Sequence, residues 1–445
     1  DPGTQLAMRV LHINATSHTG GAARAMQRLH KALIAEDHHS QFLVGRSKSP
    51  EDPLVHLIWD EVEKFRSLPG SLKSRIGNTI EHYLGIHPWA NRPTLKITRT
   101  DIYQWADIID LRNLFGGFFN LWSLPDLSES KPVVWRLPDL WALTGHCAYP
   151  YDCQRWKTGC YDCPLLTEEG RSIVEPSPTI WDGTRRVWKA KKNIYQRAKL
   201  HVIVTTRWMK RQVEQSILGN ALSINVISNG VDLDVYRPIP REQARRQLDL
   251  PVDGDILLWA AGSKGNYRKG YQLVVDALTG IQSEKKDPPW LVTMGGDRGW
   301  EGDEPLRNIK DFGYVRDSEK QALIYSAADV FICSTLADAQ PQTALESLAC
   351  GTPVIAFPVG PMPDLISEGK TGWIAPAADL QGLLTAFGRI NQERLNRAEI
   401  RRHCRQQAEE KYHLAVQTEK YIRLYEHILE EQNTLPGGNR KIMKS

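Results

Sequence analysis

Apolar and polar positions along the chain follow two rhythms. Short apolar runs bounded by polar residues fall at 9–14, 108–111, 133–137, 201–205 and 224–227, and their length and composition fit buried strands. Residues 22–35 instead place Ala, Met, Leu and Ile at helical spacing. Gly20 and Gly21 stand between the first run and that helix, so the chain opens as strand, glycine loop, helix, as a Rossmann-type unit does. A second round begins after the turn-forming Asn229-Gly230-Val231-Asp232 and a polar linker over 237–249 that holds two prolines. Strands are predicted at 256–261, 291–294, 330–333 and 353–356, alternating with helices near 271–278, 318–327 and 343–350. This alternation gives parallel sheets with helices on both faces. The predicted fold class is α/β, with two Rossmann-like domains in series, and ligands are expected in loops beyond the carboxyl ends of the strands.

Residues 8–220 are assigned to a first domain and 221–410 to a second. A helix over 411–433 is expected to pack back on the first domain, followed by a tail at 434–445. Residues 391–431 read as helical and charged. The stretch 138–183, rich in Pro, Cys, Tyr and Trp, is too long for an ordinary connection and reads as an insertion. Residues 1–7 carry no pattern, and Met8 is taken as the natural start. The 56 Lys and Arg against 52 Asp and Glu of the 445 residues are too balanced to imply a nucleic-acid partner. No run of about 18 apolar residues and no signal-peptide order occur, so a cytoplasmic enzyme is expected.

Of seven cysteines, Cys333, Cys350 and Cys404 read as small core residues. Cys147, Cys153, Cys160 and Cys163 cluster in the insertion. Four thiolates can complete a tetrahedral structural zinc site, and Cys160-Tyr-Asp-Cys163 has knuckle-like spacing. Two disulfides, or free thiols that pack the insertion, are the alternatives; a reducing cytoplasm disfavours disulfides.

Chemistry concentrates in Asp338-Ala-Gln-Pro-Gln-Thr-Ala-Leu-Glu346. One acid lies in a loop after a strand and the other on the helix that follows. A helix starting near Thr343 turns free backbone N–H groups and the positive end of its dipole towards a phosphate. Glu346 can then accept hydrogen bonds from ribose hydroxyls, and Asp338 from hydroxyls of a sugar on the distal phosphate. Asn266-Tyr-Arg268-Lys269-Gly270 follows the first strand of the second domain, and its cations can neutralise a diphosphate without a metal.

This paired-acid block resembles the signature of glycosyltransferase family four, a retaining group with the GT-B fold. The resemblance extends from Met8 to about residue 431. It implies a diphosphate role for Lys269, with Arg268 or Lys264 replacing an arginine whose place Ser263 holds, and Asp338 stands where Glu is usual. It also implies donor contacts from Gln340, Pro341, Gln342 and Thr343 around the helix start and from Gly295, Tyr314 and Val315 around the base. The Gly20-Gly21 loop, with Arg24 and Arg28 behind it, is similar to the family's loop that closes on donor and acceptor, and Tyr325-Ser-Ala-Ala-Asp329 matches as well. Asp139 and His146 are candidates at the acceptor, Pro138 replacing the histidine usual before that Asp. The Trp- and Cys-rich insertion resembles that of exopolysaccharide enzymes of colanic acid and heterocyst envelope polysaccharide synthesis.

The function implied is transfer of a hexose, glucose by preference, from a UDP-sugar to a saccharide or lipid-linked acceptor, with retention and without a catalytic cofactor. A nucleotide-sugar epimerase of the same architecture, or a degenerate donor-binding subunit, would be the alternatives. The segment 181–192 mixes cations and tryptophans on a predicted helix. It could lie on an anionic membrane at the inner face, or be a solvated face with its tryptophans packed inward.

Overall fold

The computed structural model describes residues 7–17, 21–47, 52–63, 92–115, 118–175, 178–284, 286–296, 306–392 and 396–434. The chain divides into two compact units. The first takes in most residues up to Ile227 together with those from Gln417 onward, and the second takes in 228–416 with 206–208.

The first unit is built on seven parallel strands: β1 (Arg9–Thr16), β2 (His39–Arg46), β3 (Val55–Leu57), β4 (Ile108–Leu111), β5 (Val133–Arg136), β6 (Leu200–Val204) and β7 (Ser223–Val226). Their order is β3-β2-β1-β4-β5-β6-β7. β4, β5 and β6 are buried along their whole length, as expected of strands covered by helices on both faces. The helix Leu414–Thr434 packs Tyr421, Ile422, Tyr425 and Ile428 against Val10, Leu29, Leu33, Ile108, Val134 and Ile203. A buried polar network reinforces that contact. Asp110 accepts from Arg112 Nε at 2.8 Å and pairs with His12 Nδ1 at 2.6 Å, while Arg112 also donates to the Tyr421 hydroxyl at 3.1 Å.

The second unit holds β8 (Ile256–Ala260), β9 (Trp290–Met294), β10 (Ile309–Asp311), β11 (Val330–Cys333), β12 (Val354–Ala356) and β13 (Gly372–Ile374). All pairs are parallel and the order is β10-β9-β8-β11-β12-β13. Renumbered within the unit this is the 3-2-1-4-5-6 order of a doubly wound sheet, whose direction of winding reverses between β8 and β11. The segment 391–431, read as helical with a separate helix from 411, holds the end of the helix Leu380–Gln392 and the helices Arg397–Tyr412 and Leu414–Thr434. The last break falls at His413, whose extended backbone forms a bridge with Val231: Val231 N donates to Tyr412 O and Leu414 N to Val231 O.

The insertion in the first unit is a chain of 3₁₀ turns, Trp141–Leu143, Arg155–Lys157, Pro164–Leu166 and Gly170–Ser172. The first two rest against the helix Thr184–Tyr195. Lys191 is buried there, donating to Trp141 O at 2.6 Å and Thr144 O at 2.9 Å, and Trp188 Nε1 donates to Trp156 O at 2.6 Å. No described helix is long and apolar enough to cross a membrane.

Candidate functional site

In the second unit the loops after β8 and β11 leave adjacent central strands at the winding reversal, the place where sheets of this order bind ligands. The loop after β8 tightens into the turn Tyr267–Lys269, begun by Asn266, whose side chain accepts from Arg268 N at 3.0 Å. It ends at Gly270, with φ 65°, where a Cβ would stand 2.1 Å from Ser334 O. Only glycine combines that dihedral with that approach. Four hydrogen bonds join the two loops and their strands: Leu336 N to Arg268 O at 2.7 Å, Thr335 Oγ1 to Arg268 O at 3.2 Å, Ser334 Oγ to Lys269 O at 2.9 Å and Trp259 Nε1 to Ser334 Oγ at 3.1 Å.

This joining brings two cations onto one acid. Lys269 Nζ lies 2.8 Å from Asp338 Oδ2, and Arg268 Nη1 lies 3.1 Å from the same oxygen while also donating to Ala337 O at 3.0 Å. Gln340 N donates to Asp338 Oδ1 at 3.1 Å. Burial alone would raise the Asp338 pKa, but Lys269 and Arg268 outweigh it and hold the carboxyl below its ordinary value. Lys264 is placed differently, 2.9 Å from Asp311 Oδ2 and over the Tyr271 ring. Of the two cations the sequence left open, Arg268 therefore shares the acid with Lys269.

The helix Gln342–Ala349 follows, with Pro341 at its N-cap and no side-chain cap. Glu346 on it is buried and accepts from the Tyr325 hydroxyl at 3.2 Å. Burial and then the Glu346 charge push Tyr325 well above its ordinary range, so it stays a donor. Gln340 and Gln342 turn to the chain at 228–230: Gln340 Nε2 donates to Ser228 Oγ at 2.6 Å, Gln340 Oε1 accepts from Asn229 N at 2.8 Å, and Gln342 Nε2 donates to Gly230 O at 3.2 Å. Thr343 is half-buried at the helix start. Beyond β9, Gly295 has φ 143° and a Cβ there would meet Ala261 O at 1.9 Å, while its N–H donates to Gly313 O at 2.7 Å. The loops after β8, β9 and β10 thereby meet. Tyr314 beside them is 58% exposed and Val315 is buried.

The remaining candidates belong to the first unit. Gly21 opens the helix Gly21–Ala35 after β1, and Gly20 lies outside the described residues. Asp139 is buried, its Oδ1 accepting from Trp141 N at 2.8 Å, and His146 is buried in the same loop, which Lys191 supports. Lys191 was not legible in the sequence, because a lysine on a cationic helix reads as solvated.

Cys147, Cys153, Cys160 and Cys163 are free thiols. Burial pushes Cys160 up to about 12 and Cys163 up to about 11. Among the described residues no three His, Cys, Asp or Glu side chains are grouped as a metal would require. Burial, and then the neighbouring Cys163, Cys160 and Cys153, push the Cys147 thiol well above its ordinary value, and no step of the chemistry runs through this cluster.

Residues 255–393 match the family model described as Glycosyl transferases group 1. D-inositol 3-phosphate glycosyltransferase of Acidothermus cellulolyticus is 29% identical over 247 residues, 52% of this chain and 54% of that protein, so the chain spans about half of that relative. The putative colanic acid biosynthesis glycosyl transferase WcaC of Escherichia coli is 23% identical over 380 residues, covering 78% of this chain and 83% of WcaC. Among solved structures, sucrose-phosphate synthase of Thermosynechococcus elongatus superposes with a TM-score of 0.68 at 18% identity, covering 95% of this chain and all of that one. Anabaena HepE in complex with UDP superposes at 0.65 and 15%, covering 94% of this chain and all of HepE. Residues 255–393, which carry Arg268, Lys269, Asp338 and Glu346, thus match group 1 glycosyltransferases, and the two-sheet α/β architecture is of GT-B type.

Proposed function

We propose that this protein is a retaining glycosyltransferase that transfers a hexose, glucose by preference, from a UDP-sugar to a saccharide or lipid-linked acceptor in the synthesis of a surface polysaccharide. The observation that carries this reading is the convergence of Arg268 and Lys269 on Asp338 at the winding reversal of the second sheet, inside the segment that matches group 1 glycosyltransferases. The relatives give the substrate class its direction: WcaC is named for colanic acid biosynthesis, and HepE has been crystallised with UDP-glucose.

In this reading the donor diphosphate takes the place of the Asp338 carboxylate on Lys269 and Arg268. Asp338, released, accepts hydrogen bonds from sugar hydroxyls, and Glu346 accepts from the ribose. Reaction breaks the bond between the anomeric carbon and the diphosphate oxygen, which keeps the electron pair. The acceptor oxygen bonds to that carbon from the same face, and its proton passes to the departing phosphate. The two cations and the uncapped helix start stabilise the negative charge that develops on UDP, so the residues supply preorganised electrostatics rather than a covalent nucleophile. We place the reaction in the cytoplasm, with no catalytic metal assigned.

Thermal shifts against UDP-, GDP- and ADP-sugars test the reading. A UDP-hexose at a hundred times its dissociation constant should stabilise by about 2.7 kcal/mol, and supplying acceptor should release UDP. No stabilisation by any UDP-sugar, or formation of an epimer from UDP-sugar alone, would refute it.

A further inference from the structure

Three of the large apolar side chains left exposed belong to the insertion and its exit: Trp181 is 70% exposed, Ile180 55% and Tyr161 44%. The backbone beneath them is held. Thr179 Oγ1 donates to Trp181 O at 2.9 Å and Arg171 Nη2 to Ile180 O at 3.2 Å. Cys163 N donates to Asp182 Oδ2 at 2.8 Å and Thr184 Oγ1 to Cys160 O at 2.9 Å, which fastens the Tyr161 loop to the chain just beyond Trp181. These apolar groups are displayed by an ordered scaffold.

The helix Thr184–Tyr195 begins directly afterwards. Val187, Trp188, Lys191, Ile194 and Tyr195 are buried, so its apolar face is already used inside the unit and cannot sink into a bilayer as an amphipathic helix would. Its outward residues include Arg185, Arg186, Lys189 and Lys192, and the helix contains no acid. Between residues 178 and 199 seven Lys and Arg accompany a single acid, Asp182, whose oxygens face Cys163 N, Thr184 N and Thr184 Oγ1. An exposed tryptophan beside a cationic surface matches the headgroup region of an anionic bilayer, where the indole rests at the interface and the cations meet phosphates.

We propose that Ile180 and Trp181, backed by Arg185, Arg186, Lys189 and Lys192, form a docking surface for an anionic lipid bilayer. Membrane attachment here works by an aromatic tip and a cationic face, with the helix itself remaining packed in the protein. The surface acts independently of donor binding, so it stands or falls apart from the transferase reading.

Cosedimentation of the full chain with vesicles of mixed phosphatidylglycerol and phosphatidylcholine, against phosphatidylcholine alone, tests this. The protein should bind the anionic vesicles, and raised salt should weaken binding. Trp181→Ser and the pair Arg185→Glu with Lys189→Glu should each reduce the bound fraction at least about tenfold. Both variants should keep the wild-type melting temperature and circular dichroism. Absence of binding to anionic vesicles, equal binding to phosphatidylcholine, or full binding by both folded variants would overturn the proposal. So would self-association in sedimentation that Trp181→Ser abolishes without any vesicle binding, which would give the surface to a second copy of the chain.

Discussion

Asp338 serves two cations with one carboxylate, and that sharing determines how substitutions there should behave. Lys269 at 2.8 Å and Arg268 at 3.1 Å are both partly neutralised before any diphosphate arrives. Asp338→Asn removes the competing charge while keeping size and shape. UDP and pyrophosphate should then bind about tenfold more tightly, a difference of about 1.4 kcal/mol, while transfer should be lost because the sugar is no longer oriented. Calorimetry of both ligands, with a transfer assay, checks the pair of effects; weaker UDP binding in this variant would show that the carboxylate supports the phosphate site. The sequence marked Asp338, Glu346 and Lys269 as candidates by their places after predicted strands and at a helix start, together with the family resemblance. It could not assign Lys264 to Asp311 or turn Gln340 and Gln342 towards 228–230, since these pairings join residues 47 to 112 positions apart.

At the scale of elements, the site depends on how closely two loops approach. Gly270 holds φ 65° with Ser334 O where a Cβ would lie. Gly270→Ala should lower stability by about 1–3 kcal/mol through backbone strain alone, with more from the clash, and should weaken UDP binding because Arg268 and Lys269 move with the turn. Thermal melts and UDP titration measure the two effects, and an unchanged melt would refute the argument. Most central strands were legible because burial on both faces leaves unbroken apolar runs, as at 108–111 and 330–333. β2 escaped notice because the polar His39, Ser40 and Gln41 open it, and β3, β10 and β13 because each is a three-residue edge strand, too short to display a period. The break at His413 falls close to the helix start expected at 411, whereas the bridge that fixes it, to Val231, lies 182 residues away in sequence.

At the scale of the whole molecule, the two units carry different titrating groups. In the first, burial pushes His30 down to about 4, and His12, His38 and His201 are also lowered chiefly by burial. A histidine lowered in the fold contributes stability that is complete above its ordinary value near 6.5 and is lost as pH falls from there towards 4. In the second unit Asp311, Asp329 and Asp338 are lowered, burial being outweighed by hydrogen bonds and cations. Their contribution is present above 3.8 and lost only below it. Hydrogen exchange corrected for intrinsic rates should therefore show the first unit losing protection between pH 7 and pH 5 while the second keeps it. Equal losses would contradict this. The fold class was readable from the alternation of strands and helices, because that alternation directly records parallel crossover connections. The buried histidines were not, since no local pattern marks a His that a distant helix will cover.

The central claim is that Lys269 and Arg268 form the phosphate site of a nucleotide-sugar donor. Calorimetric titration of UDP into the wild type and Lys269→Ala tests it most directly. A hydrogen bond to a charged group contributes roughly 1.5–3 kcal/mol, so the variant should bind UDP at least about tenfold more weakly while remaining folded by circular dichroism. Equal UDP affinity in the two folded proteins would contradict the account.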